Sequence, residues 1–130
     1  MSSKSAPLPK EVALILADEI ACIRFPQKIF QKKQAEEFRS VLAELRGRKI
    51  TRYVIDLSDG EYISSEGLGA IAQCWKWCHD EGNGQMAVVL PPQADNEVRN
   101  LFDIIGLSRT IGSALQPTVE DAKKYIRAFG

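Results

Sequence analysis

Two short runs rich in Val and Ile, Arg52-Tyr-Val-Ile-Asp-Leu57 and Gln85-Met-Ala-Val-Val-Leu90, are separated by one amphipathic stretch of helical period. No other feature narrows the fold so far. Runs this short and this continuously apolar read as buried strands. Strands joined through a helix pair in parallel with a right-handed crossover. The remaining segments fall into line around this unit. Glu11-Val-Ala-Leu-Ile-Leu-Ala17 and Ile20-Ala-Cys-Ile-Arg-Phe25 flank Asp18-Glu19 and suit an antiparallel pair with a tight turn, closed by Pro26. From Gln31 to Arg46, the residues Ala35, Phe38, Val41, Leu42 and Leu45 form one helical stripe, with Gly47 at the stop. A second helix is expected over 65–80, with Leu68, Ile71, Ala72, Trp75 and Cys78 or His79 facing inward, and Glu81-Gly-Asn-Gly84 breaking it. After Pro91-Pro92 a third helix starts near Asp95, with the stripe Val98, Leu101, Phe102 and Ile105, and ends at Gly106. Residues 108–112 suit a short edge strand. Thr118 opens a last helix, with Asp121 three residues on.

The expected fold is therefore α/β. One domain spans 10–130, with a mixed sheet of four to five strands, an N-terminal hairpin and four packed helices. Residues 1–9, with two prolines and no apolar period, form a tail outside it.

Composition removes several function classes. The chain has 130 residues, 45% of them apolar, which is enough for a core without disulfide staples. Seventeen bases balance seventeen acids, so no global charge draws it to nucleic acid or an anionic membrane. No apolar run is long enough to span a bilayer, and the first ten residues lack a signal-peptide core. The charge is nonetheless uneven. Residues 24–52 carry nine bases and three acids, and residues 53–130 carry six bases and eleven acids. Such asymmetry marks either a docking surface or a solvated basic helix beside acidic loops.

Catalytic and metal chemistry find little support. Ser64 and Ser65 precede a helix, but the Gly-x-Ser-x-Gly elbow is absent. The single histidine, His79, lies fourteen residues along the same helix from Ser65, about 21 Å away. His79 reads as a helix-end residue beside the negative dipole end. Cys74 and Cys78 lie one turn apart with no second ligand cluster, so they and Cys22 read as small buried apolar residues. Trp75 reads as core; Trp77, on the other side, is either partly covered by loops or an exposed contact residue. Gly67 and Gly69 do not complete a phosphate-binding glycine motif, and Asp56 lacks the acid pair a receiver domain needs for magnesium.

What stands out is Tyr62-Ile-Ser-Ser-Glu-Gly-Leu-Gly-Ala-Ile71, directly after Val54-Ile-Asp-Leu57. Small hydroxyl residues at a helix start normally cap free backbone N–H groups, which accounts for one of the two serines. Gly67 and Gly69 in the first turns each cost roughly 1 kcal/mol against alanine. Backbone must approach something closely there, either the sheet beneath or a partner above.

These residues resemble the signature of STAS domains, and most nearly that of bacterial anti-sigma factor antagonists, roughly D-L-S-x-V-x-F-I-D-S-S-G-L. The similarity continues in Gly84-Gln-Met-Ala-Val-Val89 and in Val98-Arg-Asn-Leu-Phe-Asp-Ile-Ile-Gly-Leu107, and it covers about residues 10–128. The resemblance implies binding to an anti-sigma factor that is also a serine kinase of the histidine-kinase-like ATPase type. Phosphorylation would switch that binding off, and a PPM-type serine phosphatase would restore it. By position the acceptor is Ser65, with Ser64 the second choice. The implied docking surface comprises Asp56, Tyr62, Ser64, Ser65, Glu66, Gly67, Leu68 and Gly69, together with Lys28 and Gln31. Neither enzymatic activity nor a cofactor, metal, direct nucleic-acid contact or membrane insertion is implied. The implied location is cytoplasmic, and a homodimer stays open. Three departures from the family pattern stand beside this. Ser64 replaces a common Asp, Glu66 replaces a common Ser or Thr, and Pro26-Gln-Lys-Ile-Phe-Gln31 replaces a G-x-L-D segment. The alternative is a STAS scaffold or accessory subunit of a transporter or stressosome, with Ser65 only capping its helix.

Overall fold

The computed structural model describes residues 13–17, 19–25 and 28–128; the expected tail at 1–9 and the strand-closing Pro26 lie outside them. Strands β1 (Ala13–Ala17) and β2 (Ile20–Arg24) form the expected antiparallel hairpin, with Ala13 opposite Arg24 and Ala17 opposite Ile20. Beyond it, β2 pairs in parallel with β4 (Arg52–Asp56), β4 with β6 (Gln85–Val89), and β6 with β7 (Leu115–Gln116). The five-stranded order is β1-β2-β4-β6-β7. Helix α1 (Lys32–Gly47) connects β2 to β4, and α2 (Ser65–Trp75) connects β4 to β6. Then α3 (Glu97–Ile104) and α4 (Leu107–Ile111) lead to β7, and α5 (Val119–Arg127) follows it.

Both faces of the central strands are covered, which explains why their sequence shows no polar alternation. Ala21, Ile23, Tyr53, Ile55, Met86 and Val88 face the larger core, with Phe38, Leu45, Ile71, Cys74 and Phe102 from the helices. Their neighbours Ile20, Cys22, Val54, Ala87 and Val89 face the opposite way and meet Ala122 and Ile126 of α5.

Several expectations are corrected. Residues 108–112 are not an edge strand. Gly106 at φ +80° lets the chain turn and start α4, whose Leu107 and Ile111 sit one helical turn apart and are buried. The edge strand lies later, at Leu115–Gln116, so the described residues hold five α-helices rather than four. The second helix does reach Asp80, with Lys76–Asp80 a π-helical turn, and its buried stripe runs through Leu68, Ile71, Cys74 and Cys78. Cys74 and Cys78 are buried, while Ala72, Trp75 and His79 are half-buried. Trp77 is half-buried too, under the Arg46 guanidinium 3.8 Å from its ring. Ile105, expected in the stripe of α3, is exposed. At the end of α1 the left-handed residue is Lys49 (φ +62°), and Gly47 belongs to the helix. Thr118 caps α5 as expected, its hydroxyl accepting the Asp121 N–H at 3.1 Å.

A small element escaped the sequence altogether. Strands β3 (Ile29–Phe30) and β5 (Tyr62–Ile63) pair in parallel as a separate ribbon, Ile29 beside Tyr62 and Phe30 beside Ile63. Phe30 is anchored by Phe25, stacked at 4.1 Å, and by Phe38, edge-on at 5.5 Å. Two-residue strands carry no periodicity to detect.

Tyr53, fully buried on β4, donates its hydroxyl to the Ile50 carbonyl at 2.8 Å. Burial, its largest influence, pushes the phenol up to about 12. A group whose folded value is raised contributes its stability in full below the unfolded value near 10. That stability is lost as pH climbs through about 12. The wild type should therefore lose about 3 kcal/mol more than Tyr53→Phe across that interval, measured by urea unfolding at each pH.

Candidate functional site

The β3–β5 ribbon delivers two helices side by side. Phe30 pairs with Ile63, and the next residue of each strand, Gln31 and Ser64, is an N-cap, of α1 and α2 respectively. The Gln31 N–H donates to Oε1 of Gln34 at 3.0 Å, and Gln34 is the one buried polar side chain among the described residues. Ser64 caps α2, its Oγ accepting the Gly67 N–H at 3.3 Å and lying 3.3 Å from the Phe30 carbonyl oxygen. The Ser64 N–H donates to that same carbonyl at 3.0 Å.

The two serines therefore have different roles. Ser64 is half-buried and its hydroxyl holds the helix start to β3. Ser65 is the first residue of the helix and exposed, and its Oγ reaches Oε1 of Glu66 at 3.4 Å. The capping role that the scaffold alternative gives to Ser65 is corrected by this geometry, since the cap is Ser64. Ser64→Ala should cost about 1 kcal/mol of folding stability, whereas Ser65→Ala should leave thermal unfolding unchanged within a few tenths. Denaturant titration of the two variants separates them.

Gly67 is buried, and a Cβ there would run into the Phe30 carbonyl oxygen and Cγ1 of Ile63. The close approach expected from its sequence cost is to the ribbon beneath. Gly69 is different: nothing lies within 4 Å of where its Cβ would be. Leu68, though inside the signature, is buried and packs with the larger core.

Ser64 and Glu66 share a shallow depression of about 470 Å³ with Gln31, Lys32, Lys33, Glu36 and Tyr62. Lys32 and Lys33 contribute positive charge that the sequence reading did not assign to the site, although they lie in the basic stretch it noted. The Glu66 carboxyl is held below the ordinary carboxylate range. Its own backbone N–H is the first cause, the Ser64 hydroxyl the next, and Ser65 and Lys32 add to them. Asp56 and Lys28 lie apart from this depression. They line a cavity of about 20 Å³ with Tyr62, room for roughly one water and no larger ligand. Asp56 accepts from the Ser58 N–H at 3.0 Å and the Ser58 hydroxyl at 2.6 Å, which fixes the turn leading to β5.

The uneven charge is partly resolved by ion pairs between the basic and acidic segments. Arg24 meets Asp59 at 3.3 Å and Lys28 meets Glu61 at 3.7 Å, all of them exposed. Each contributes about 0–1 kcal/mol.

His79 stands at the far end of this helix, stacked on Trp75 at 3.8 Å, with Nε2 accepting the Met86 N–H at 3.3 Å. That bond ties the π-helical turn to β6. Hydrogen bonding to Cys78, followed by burial, holds the Cys74 thiol well above its ordinary value, which disfavours the thiolate a metal or nucleophile role needs. Among the described residues no group of three or more His, Cys, Asp or Glu could hold a metal ion. No described helix is long and apolar enough to cross a membrane.

The STAS domain family model matches residues 12–122. No curated protein matches the chain. Among solved structures, the candidate anti-sigma factor antagonist TM1081 of Thermotoga maritima is 20% identical with a TM-score of 0.72, covering 91% of this chain and 96% of that one. The Bacillus cell-fate determinant SpoIIAA in its phosphorylated form is 18% identical with a TM-score of 0.65, covering 89% and 99%. The murine anion transporter Slc26a9 is 19% identical with a TM-score of 0.63, covering 85% of this chain but 18% of the transporter. At these identities the likeness is one of fold.

Proposed function

Because the chain belongs to the STAS domain family, we propose that it is a partner-switching anti-sigma factor antagonist whose switch is phosphorylation of Ser65. The domain would span 10–130 and act in the cytoplasm as a binding protein, without a catalytic site of its own. Its partner would be an anti-sigma factor that is also a serine kinase of the histidine-kinase-like ATPase type, with a PPM-type phosphatase resetting it. One observation carries this reading: of two adjacent serines, the fold uses the Ser64 hydroxyl and presents that of Ser65 at the exposed start of α2.

The physics of such a switch is local. A phosphoryl group on Ser65 adds about −1.5 to −2 charges. It would sit beside Glu66, which is already ionised and stabilised as an anion. The positive end of α2 offsets part of that charge, by about 0.3–2 kcal/mol, so the domain stays folded while its surface changes. Gln31, Tyr62 and Gly69 would complete the contact surface around the two helix starts. The buried Gly67 and Leu68 would act by positioning it. Incubation with the cognate kinase and ATP should add one phosphate, read by intact mass. Ser65→Ala should abolish the addition and Ser64→Ala should retain it. Equal incorporation into Ser65→Ala would overturn the assignment.

A further inference from the structure

The two edges of the main sheet are treated very differently. At one end β7 is only Leu115–Gln116, a short and partly polar edge that offers little to pair with. At the other end β1 runs Ala13-Leu14-Ile15-Leu16-Ala17, with no charge, no proline and no glycine. Ile15 is 56% exposed and Leu16 46%, although every strand residue of β2 except Arg24 is buried. The register places Ile15 opposite Cys22, on the face that α5 covers, and Leu16 opposite Ala21, on the face of the larger core. Helix α5 packs mainly on β4, β6 and β7 and also meets Ile20 and Cys22 of β2, while Ile15 beyond them stays exposed.

The sequence of β1 reads the same in both directions about Ile15. A twofold contact must be self-complementary, each residue meeting its symmetry mate. Antiparallel pairing of two β1 strands centred on Ile15 satisfies that requirement throughout: Ile15 meets Ile15, Leu14 meets Leu16, and Ala13 meets Ala17. No charge falls opposite another within the strand. Glu19, at φ +61°, already belongs to the turn. We propose that β1 is a dimerisation strand, through which two copies of this chain join their sheets edge to edge about a twofold axis at Ile15.

The contact is small. Five residues per chain bury less than a standard interface, so the dimer is weak, with a dissociation constant of about 10–100 µM. The inference is independent of the reading of Ser65.

Sedimentation velocity of the full chain, at concentrations below and above that range, should show a shift from monomer to dimer. Ile15→Lys places a charge opposite its own copy, and the variant should stay monomeric with unchanged thermal unfolding, since the side chain is exposed. A wild type that remains monomeric throughout, or an Ile15→Lys variant that dimerises as well as wild type, would overturn the proposal. The register has its own check under mild oxidation, because the three native cysteines are buried. Ile15→Cys should cross-link to itself. Ala13→Cys should cross-link only when mixed with Ala17→Cys, and self-linking of Ala13→Cys as efficient as that of Ile15→Cys would exclude this pairing.

Discussion

Ser65→Glu is expected to lower affinity for the proposed kinase partner by about a thousandfold, with folding stability essentially unchanged. The loss corresponds to about 4 kcal/mol, the scale of burying an uncompensated charge in an interface fitted to a neutral hydroxyl. Stability should hold because Ser65 is exposed and an acidic side chain at a helix start is favoured by the dipole. Titration calorimetry against the kinase, beside thermal unfolding of the same variant, separates the two effects. The scaffold alternative expects binding to its own partner to be indifferent to this substitution. Retained affinity for Ser65→Glu would favour it.

Gly67→Ala is expected to destabilise the fold by about 3 kcal/mol or more, the upper end of what overpacking costs. The obstacle is backbone, the Phe30 carbonyl, and not the end of a flexible side chain. Moving it would break the Ser64 N–H bond to the same oxygen and separate β3 from α2. Gly69→Ala should act in the opposite sense and stabilise by up to about 1 kcal/mol, since its Cβ meets nothing and alanine favours helix. Urea unfolding of the two variants tests the pair. If Gly69→Ala weakens kinase binding while raising stability, the open space above Gly69 belongs to the partner.

The sequence made the framework legible because its signals are long and regular. The stripe of α1, the runs of β4 and β6 and the hairpin all repeat over enough residues to be read, and the structure has them at the expected places. Misreadings cluster where length fails. The ribbon of β3 and β5 has two residues per strand, and α4 has five. In α2 the ends were placed correctly, but the stripe passes through Cys74, three residues after Ile71, with Trp75 half-buried beside it against the same core.

The site shows the same division. Residue types alone showed that a hydroxyl pair and two glycines sit at the start of α2, and that one serine is needed as a cap. They could not say which, because capping depends on the turn at which the backbone enters the helix. Nor could they separate Gly67 from Gly69, which are the same residue with the same helical cost. The β3–β5 pairing decided both. It brings the Phe30 carbonyl under Gly67 and against Ser64, and it sets Gln31, Lys32 and Lys33 of α1 beside Glu66 of α2. Local sequence thus determined the elements and the chemistry available at their ends. Which hydroxyl is consumed by the fold and which faces outward was decided by a contact between residues 34 positions apart, and no local pattern encodes it.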